Sequence, residues 1–561
     1  MLWKRRAAPV AVISTLALAA GLAGVAACGA GDALGGGEYD QGADGGANFE
    51  GLECSTDLDC PAGLVCQTEH CVSPSDGRPP EVEETRSFLA PAASADHVFV
   101  LSPSESTVAV IDAQSLAIET VPLPEEPLAL ALLDASETLV VLSGRGEALS
   151  VVEPTLDPPR LLSQPVGRRF PALSLSPDGA WALLWTPDGH AIDAGAEGIV
   201  SLVDVDALAA GSPAPVLERA AGRRHTDVFF RREGLAFVEA VVVGSEEVAI
   251  IDLVDPAASP LPVRLPLPDD YTDLFSREVV PVAGGATLLV RSFTSPDLLI
   301  LDIAGRTTTT LTLPAVPTDL DVSADGGLAV VALRAIGEVA WLPLPAGLTD
   351  PGLLQRAAIT EVPPGQVTLA EDASFLVAFT TSEPSEALAW VELATGQVSV
   401  FDRLQKWVRT VGIAPGGGRA IVLHRPDPDS TVADPYEREV DLDEGYSLVD
   451  LAGPFAQLKR TAGIPPRTMV FTPDGLHAGV TLRDGNRGRI DAVDLETLVT
   501  DTLPLASGPQ FSGALPAGAA GADRMWVTQD HAAGRISFVS LAERVVRTVT
   551  GYDLNAEIET P

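Results

Sequence analysis

Two short sequence patterns alternate along most of the chain, and this repetition constrains the fold more than any other feature. The first pattern is an apolar run closed by an acidic or polar residue. Clear copies are Val108–Asp112, Val200–Asp204, Val248–Asp252, Leu298–Asp302 and Asp491–Asp494. The second pattern is a strand-like run that ends in a tight turn, with clear copies at Ser176–Gly179, Ser323–Gly326 and Thr472–Gly475. The two patterns alternate ten times over the roughly 465 residues that follow Arg86. Repeats of about 40–50 residues indicate the blades of a propeller.

These repeats resemble those of the YVTN/lactonase-like β-propellers. The run Val108-Ala109-Val110-Ile111-Asp112 and the turn Ser176-Pro177-Asp178-Gly179 carry the resemblance. The resemblance implies an all-β fold, a large β-propeller of about ten four-stranded repeats with eight to ten blades. Two smaller rings and a β-solenoid are the alternatives that the pattern leaves open.

The ends of the repeat region predict how the ring closes. The last repeat, Met525–Glu559, lacks a terminal strand of the second type, whereas Arg86–Asp96 supplies one before the first repeat. Pairing of these two ends in one blade would remove the open edges of the ring. We therefore expect the propeller, residues 86–561, to be closed by its N-terminal strand.

The N-terminus is typical of an exported lipoprotein. A basic segment, Met1–Arg6, precedes an uncharged apolar stretch, and together they predict a signal peptide over residues 1–27. The sequence Val25-Ala26-Ala27-Cys28 resembles the bacterial lipobox, which implies that membrane lipid is attached to Cys28. An uncleaved membrane-spanning helix is the alternative, because about 20 apolar residues can cross a bilayer. We expect the protein in the cell envelope, lipid-anchored at the outer membrane, on its periplasmic or its surface face.

Three segments separate this anchor from the repeats. Residues 28–50 begin with the lipidated Cys and continue as a Gly-rich tether, residues 51–72 hold four cysteines, and residues 73–85 form a linker. In an oxidising compartment two disulfides are expected, with three possible pairings, among Cys54, Cys60, Cys66 and Cys71. A zinc site is the alternative, although C-x2-C pairs are missing. The segment resembles the small Cys-rich modules of bacterial surface lipoproteins.

The charge of the chain excludes one class of partner. Its 36 Lys and Arg stand against 77 Asp and Glu, which gives a formal net charge of −41. Nucleic-acid binding needs clustered cations that release counterions from phosphates, so nucleic acid is not an expected partner. Besides the membrane lipid, we expect an envelope or surface protein as partner.

Catalytic signatures are missing from the sequence. There is no G-x-S-x-G elbow, H-E-x-x-H, P-loop or dinucleotide fingerprint, and no C-x-x-C-H motif for haem. Lipidation and the two expected disulfides leave no free thiol. The sequence therefore favours a non-enzymatic binding or scaffold protein, for which we assign no catalytic residue and no cofactor.

The repeat also predicts where a ligand would bind. In such propellers the strand that ends in the Asp-Gly turn is innermost, so residues six or seven positions before the turn lie at the mouth of the central channel. With their neighbours, these candidate residues are Arg224, His225, Asp227, Arg277, Glu278, Asp319, Gln366, Arg409 and Arg467. Convergent arginines would suit a carboxylate or phosphate. The alternative function is thus an exported lactonase- or dehydrogenase-like enzyme, or a sensor, that binds a small anionic ligand and uses His225 or a carboxylate as base.

An acidic insertion between Arg425 and Glu444 is the second candidate site. Oxygen-rich loops can hold Ca²⁺, and Asp441, Asp443 and Glu444 are the possible ligands. Their spacing departs from the D-x-D-x-D-G pattern, which favours a solvated acidic loop. Elsewhere, the turn Ala394–Gln397 resembles the turns of quinoprotein-type blades, in a single copy.

Overall fold

The structure is a computed structural model, and the chain divides into two units, Met1–Thr85 and Arg86–Pro561. The described residues are 65–67, 70–72, 86–133, 136–190, 197–265, 277–282, 284–453, 455–518, 521–552 and 557–559. In the first unit they form an antiparallel hairpin of β1 (Val65–Gln67) and β2 (His70–Val72), whose register sets Cys66 opposite Cys71. The predicted signal peptide, tether and linker, together with Cys28, Cys54 and Cys60, lie outside the described residues.

The second unit is a β-propeller of ten blades, as the repeats predict, and each blade is an antiparallel sheet of consecutive strands. Blades 1 to 3 comprise β3 (Ala92–Ala93), β4 (His97–Ser102), β5 (Thr107–Asp112), β6 (Ile118–Pro122); β7 (Pro127–Leu133), β8 (Thr138–Ser143), β9 (Ala148–Glu153), β10 (Arg160–Pro165); and β11 (Ala172–Leu175), β12 (Trp181–Trp185), β13 (Ile199–Asp204), β14 (Val216–Ala220).

Blades 4 to 7 follow the same order. They comprise β15 (Asp227–Glu233), β16 (Ala236–Val243), β17 (Glu247–Asp252), β18 (Leu261–Arg264); β19 (Arg277–Val282), β20 (Thr287–Ser292), β21 (Asp297–Asp302), β22 (Thr307–Thr312); β23 (Asp319–Val322), β24 (Leu328–Leu333), β25 (Glu338–Pro343), β26 (Gln355–Ala358); and β27 (Gln366–Leu369), β28 (Phe375–Phe379), β29 (Leu388–Glu392), β30 (Gln397–Phe401).

Blades 8 to 10 complete the ring, and the last blade carries a fifth strand. They comprise β31 (Trp407–Ile413), β32 (Arg419–Arg425), β33 (Gly445–Asp450), β34 (Phe455–Arg460); β35 (Pro466–Phe471), β36 (His477–Asp484), β37 (Arg487–Asp494), β38 (Val499–Leu505); and β39 (Pro509–Ala514), β40 (Arg524–Gln529), β41 (Arg535–Ser540), β42 (Val545–Thr550), β43 (Glu557–Glu559).

The burial of each strand follows from its place in the blade. The first strands of neighbouring blades contact one another and are half-buried, as in β11. The two middle strands pack between neighbouring blades on both faces, and β8 is buried along its whole length. This explains why the middle strands form continuous apolar runs rather than alternating ones. The outer strands are largely exposed, as in β22.

The two sequence patterns have a physical explanation in the turns. In the Ser-Pro-Asp-Gly turn between β11 and β12, the Ser176 hydroxyl donates to the Asp178 carboxylate over 2.7 Å and accepts from the Trp181 N–H. Gly179 ends this turn at a φ of 77°, which glycine adopts without steric cost. At the end of β5, the Asp112 carboxylate accepts backbone N–H groups of Gln114 and Ser115, which turns the chain toward the outer strand.

Apolar clusters between successive blades hold the ring together. Each pair of neighbouring blades shares one cluster of buried side chains, and the tenth joins the last blade to the first through Val98, Ile111, Trp526 and Phe538. The N–H of Arg86 also donates to the Ala532 carbonyl over 3.0 Å. The ring is therefore closed by side-chain packing across the boundary between blades 10 and 1.

The pairing of the N-terminal strand differs from the sequence prediction. Arg86–Asp96 does supply a first strand, β3, but β3 pairs with β4 in blade 1, and the last blade is built from C-terminal strands alone. The segment instead reaches blade 10 through Phe88, whose ring packs edge-on against Tyr552 with centroids 5.1 Å apart. The N-terminal strand thus completes the first blade while its flanking residues contact the last.

Helices are few, in keeping with an all-β fold. Helix α1 (Val205–Ala209) begins after Asp204, whose carboxylate accepts the Ala207 N–H. Helix α2 (Pro435–Leu442) begins after Asp434, whose carboxylate accepts two N–H groups of the first turn. Short 3₁₀ turns cover Gly144–Gly146, Arg334–Ile336, Ala346–Leu348 and Pro351–Leu353. Within the described ranges, no helix has the length and apolar character needed to cross a membrane.

Candidate functional site

The predicted mouth residues lie where the first strands begin. Asp227, Arg277, Asp319 and Gln366 are the first residues of β15, β19, β23 and β27, and we call this end of the propeller the mouth face. The opposite end carries the turns between first and second strands, which contain Gly179, Gly326 and Gly475, and we call it the turn face. The first strands differ in length, so counting back from the turn places Arg409 at the third residue of β31 and Arg467 at the second residue of β35.

Arg224 and His225 lie between blades 3 and 4. The Arg224 guanidinium donates two hydrogen bonds of 3.0 Å to the Asp188 carboxylate, and this pairing holds the pKa of Asp188 below its usual range. His225 is buried, with Nε2 3.2 Å from the Gly222 carbonyl, and burial lowers the pKa of its imidazole. A buried imidazole of this kind has a structural role in the loop that leads into β15.

Arg277 and Asp227 lie at the boundary between blades 4 and 5. Arg277 is buried, and its guanidinium donates to the carbonyl oxygens of Gly244 and Ser245 in blade 4, the second at 3.0 Å. Burial raises the pKa of Asp227, against the opposing effects of the Thr226 hydroxyl and the Arg277 charge. The arginine therefore ties the first strand of blade 5 to a loop of blade 4.

A buried arginine that the sequence analysis missed, Arg291 of β20, organises the next boundary. It donates to the Glu278 carboxylate, and its Nη2 lies 3.8 Å from Oδ1 of Asp319. Oδ2 of Asp319 in turn accepts the Val367 N–H at 2.8 Å. Burial raises the pKa of Asp319 to about 6, and the nearby Glu278 charge acts in the same direction.

Arg409 and Arg467 lie near the boundary of blades 8 and 9. Nη2 of Arg409 donates to the Pro466 carbonyl at 2.5 Å, and burial lowers the pKa of its guanidinium. The Glu444 carboxylate interacts with both arginines, although burial raises its pKa. Arg467 is exposed and lines a cleft of about 280 Å³ together with Phe511 at the start of blade 10.

These contacts form separate groups at separate blade boundaries. Arg224, Arg277 and Arg409 each bond to a neighbouring loop or blade. The charge of Arg467 acts on Arg409, whereas Arg277 lies at the boundary of blades 4 and 5. The side chain of Gln366 is exposed and begins β27. The arrangement can rigidify the ring, because each bond crosses from one blade or its connecting loop to the next.

The acidic insertion folds as helix α2 rather than as an open loop. The Lys406 ammonium is buried and donates to the carbonyls of Val440 and Asp441 in the last turn of α2. Burial alone would raise the pKa of Asp443, but hydrogen bonds from Arg460 and from the backbone hold it below the usual range. Across the part of the chain that the structure describes, no three His, Cys, Asp or Glu side chains are grouped to hold a metal ion.

A cleft on the turn face was not anticipated from the sequence. It has a volume of about 800 Å³, spans blades 6 to 8 and is lined by Trp341, Phe375 and Trp390, and we call it the aromatic cleft. Trp341 and Trp390 occupy equivalent positions in the repeat, opposite Val330 and Val377 on the second strands. Tryptophan recurring at one repeat position was the signal available in the sequence.

No model of a known protein family matches the chain, and no curated protein matches it. Among solved structures, hydrazine synthase from Kuenenia stuttgartiensis is 14% identical with a TM-score of 0.31, covering 67% of this chain and 94% of that chain. Dihydro-heme d1 dehydrogenase NirN is 16% identical with a TM-score of 0.37, covering 66% and 74%. Apo AztD from Citrobacter koseri is 13% identical with a TM-score of 0.35, covering 76% and 97%. At these values nothing about ligand or activity transfers to this chain.

Proposed function

We propose that this chain is an exported, lipid-anchored lipoprotein whose β-propeller binds a partner in the cell envelope without catalysing a reaction. The basic and apolar N-terminal segments, followed by Val25-Ala26-Ala27-Cys28, support export and anchoring at Cys28. The Gly-rich residues 28–50 would let the propeller move away from the membrane surface.

The non-catalytic assignment rests on one observation: arginine side chains of the mouth face donate their hydrogen bonds to backbone carbonyls of neighbouring blades. Arg277 donates to backbone carbonyls of blade 4, and Arg409 donates to the Pro466 carbonyl at the start of blade 9. A catalytic group must direct its reactive atom at substrate within hydrogen-bond reach. Groups that bond blade to blade favour a rigid scaffold instead.

One residue favours the alternative of a lactonase-like enzyme or ligand sensor. The pKa of Asp319, raised to about 6, lies in the range that suits a general base near neutral pH. Hydrolysis of a panel of simple lactones by the full chain and by Asp319→Asn distinguishes the two functions. We expect no turnover by either protein, and turnover that is lost in Asp319→Asn would overturn the non-catalytic assignment.

Anchoring is tested by labelling cells with radioactive palmitate. The wild-type chain should incorporate label and fractionate with membranes, whereas Cys28→Ala should do neither, because the thiol that carries the lipid is gone. Cys54→Ala is the matched control, since it removes a cysteine of the predicted disulfide module and leaves Cys28 in place. Equal labelling of wild type and Cys28→Ala would contradict the assignment of Cys28.

A further inference from the structure

The aromatic cleft combines apolar faces with polar groups that have no intramolecular role. Trp390 and Phe375 are half-buried at the boundary of blades 7 and 8, so part of each ring faces the cleft. Trp341, at the boundary of blades 6 and 7, is buried and packs beneath Gly396, so it forms the floor of the cleft rather than an open face. The cleft's volume of about 800 Å³ is that of a small-molecule site. Flat apolar faces beside open space are suited to stacking against a ring-shaped ligand.

Hydrogen-bonding groups of the cleft are available to a ligand. In the part of the chain that the structure describes, the indole N–H of Trp390 has no acceptor, and it is not among the atoms buried without a partner, so it reaches solvent. By the same criterion the side-chain amides of Gln355 and Gln397 and the hydroxyl of Ser399 make no hydrogen bond. These groups offer both donors and acceptors, as hydroxyl groups of a ligand require.

The charge of the cleft narrows the class of ligand. Glu392 is the one charged side chain among the described residues that line it, and no Lys, Arg or His does so. The chain as a whole carries a formal net charge of −41, so an anionic ligand would be repelled. A neutral ligand rich in hydroxyl groups matches amide, hydroxyl and carboxylate partners without requiring a cation.

The glycine loop between β31 and β32 leaves the cleft open. Gly416 and Gly418 line it, and a Cβ added at either position would meet no atom within 4 Å. Gly417 packs against Phe375 instead, with its added Cβ 3.2 Å from the ring. Side chains at 416 or 418 would extend into space that a ligand can occupy.

We propose that the aromatic cleft is a binding site for a neutral oligosaccharide, which stacks on Trp390 and bonds to Gln355, Gln397 and Ser399. The inference rests on the proposed binding function, because it names a ligand for a propeller that is proposed to bind without catalysing a reaction. It places this ligand on the turn face, away from the charged groups of the mouth face.

The test is titration of the detergent-solubilised full chain with cellohexaose, chitohexaose and maltohexaose, and separately with choline and a proline-rich peptide, followed by tryptophan fluorescence and calorimetry. At least one hexasaccharide should bind, and Trp390→Ala and Gln397→Ala should each weaken binding about tenfold or more. Gly418→Tyr should also block binding, because its backbone is not left-handed and the added ring enters open space. Phe455→Ala, an exposed aromatic residue outside the cleft, is the control and should leave affinity unchanged.

Three outcomes overturn the proposal. No binding of any hexasaccharide at millimolar concentration would do so, as would binding that Gln397→Ala and Gly418→Tyr leave intact. Binding of choline or of a proline-rich peptide in place of sugars, with the same variant sensitivity, would assign the cleft to another class of ligand. Because Gln397 is exposed, its substitution tests the site even if Trp390→Ala fails to fold. None of these results affects the palmitate and lactone experiments, so the two proposals fail separately.

Discussion

The carboxylate of Asp319, at the start of the first strand of blade 6, accepts a hydrogen bond of 2.8 Å from the backbone N–H of Val367 in the first strand of blade 7. Two residues along each strand, Asp321 accepts the Leu369 N–H at 3.0 Å. Strand β27 is the edge strand of blade 7 and does not pair with any strand of blade 6. The two carboxylates therefore accept backbone N–H groups that no neighbouring strand accepts. Burial raises the pKa of both aspartates, so this seam between the blades is held by groups whose charge is destabilised.

Asp319→Asn is expected to stabilise the protein above pH 6. The pKa of Asp319 rises from 3.8 to about 6 on folding, so between these values the folded state binds more protons and the free energy of unfolding falls as pH rises. Asn keeps an acceptor for the Val367 N–H without the buried charge. In urea unfolding, the free energy of unfolding of Asp319→Asn should exceed that of the wild type by about 1–3 kcal/mol at mildly alkaline pH. The two proteins should not differ below the ordinary pKa of Asp.

Asp325→Asn in the turn of the same blade is the matched control. Its pKa is lowered by hydrogen bonds from the Ser323 hydroxyl and the Gly327 N–H, so its charge is favourable in the folded state. This variant should gain no stability at any pH. Equal gains for both substitutions would show that the effect at Asp319 comes from the net charge of the chain rather than from burial.

Arg277→Ala is expected to destabilise the boundary between blades 4 and 5. The substitution removes a buried guanidinium and leaves the carbonyls of Gly244 and Ser245 without these donors, which should cost about 2–4 kcal/mol of unfolding free energy. Arg403→Ala is the control, because Arg403 is exposed and forms a surface pair with Asp402; its effect should stay within about 0.5 kcal/mol. Equal midpoints for the two variants in urea unfolding would contradict a structural role for Arg277.

Local sequence patterns predicted the blades because the residues that make them act locally. Ser176 and Asp178 bond within their own turn, and Asp112 bonds the two residues that follow the strand, so both signals lie within a few positions. The partner of β3 had no such signal. A strand ahead of the first repeat can complete either adjoining blade, and packing of Phe88 on Tyr552, over 460 residues apart in sequence, is part of the real closure.

The candidate site was predictable in position but not in bonding. Counting from the turns placed Arg277 and Asp319 at strand starts, yet their partners, Gly244 and Val367, belong to neighbouring blades and carry no distinguishing side chain. Almost every residue has a backbone N–H and a carbonyl, so a sequence motif cannot show which of them accepts or donates a hydrogen bond. Trp390 differs, because the repeat pattern alone places it at the same repeat position as Trp341, and the register of the blades shows the same equivalence.

Lys406→Met is expected to loosen helix α2 without unfolding the ring. The buried ammonium donates to the carbonyls of Val440 and Asp441 at the end of the helix, and methionine fills a similar volume without a donor. Only the Val440 carbonyl loses its donor, because the Asp441 carbonyl also accepts the Asp427 N–H at 2.8 Å. Hydrogen exchange of Pro435–Leu442 should accelerate about tenfold or more, consistent with about 1–3 kcal/mol for one unsatisfied carbonyl. Lys459→Met on β34 is the matched control, and equal exchange in the two variants would contradict the role of Lys406.

His424→Gln is expected to flatten the acid dependence of stability. His424 is fully buried, its Nδ1–H donates to the Trp407 carbonyl at 3.2 Å, and Nε2 accepts from the Ser447 hydroxyl at 2.7 Å. Burial lowers its pKa to about 3 from 6.5, so between these values the unfolded state binds more protons and stability is lost as pH falls, by up to about 1.4 kcal/mol per pH unit. Because the titration of Asp319 changes stability in the opposite direction over part of this pH range, urea midpoints are best compared in the Asp319→Asn background.

His190→Gln, at an exposed site, is the control and should keep the slope of unfolding free energy against pH that the Asp319→Asn background shows. The same unchanged slope in His424→Gln would show that the buried imidazole does not control acid unfolding.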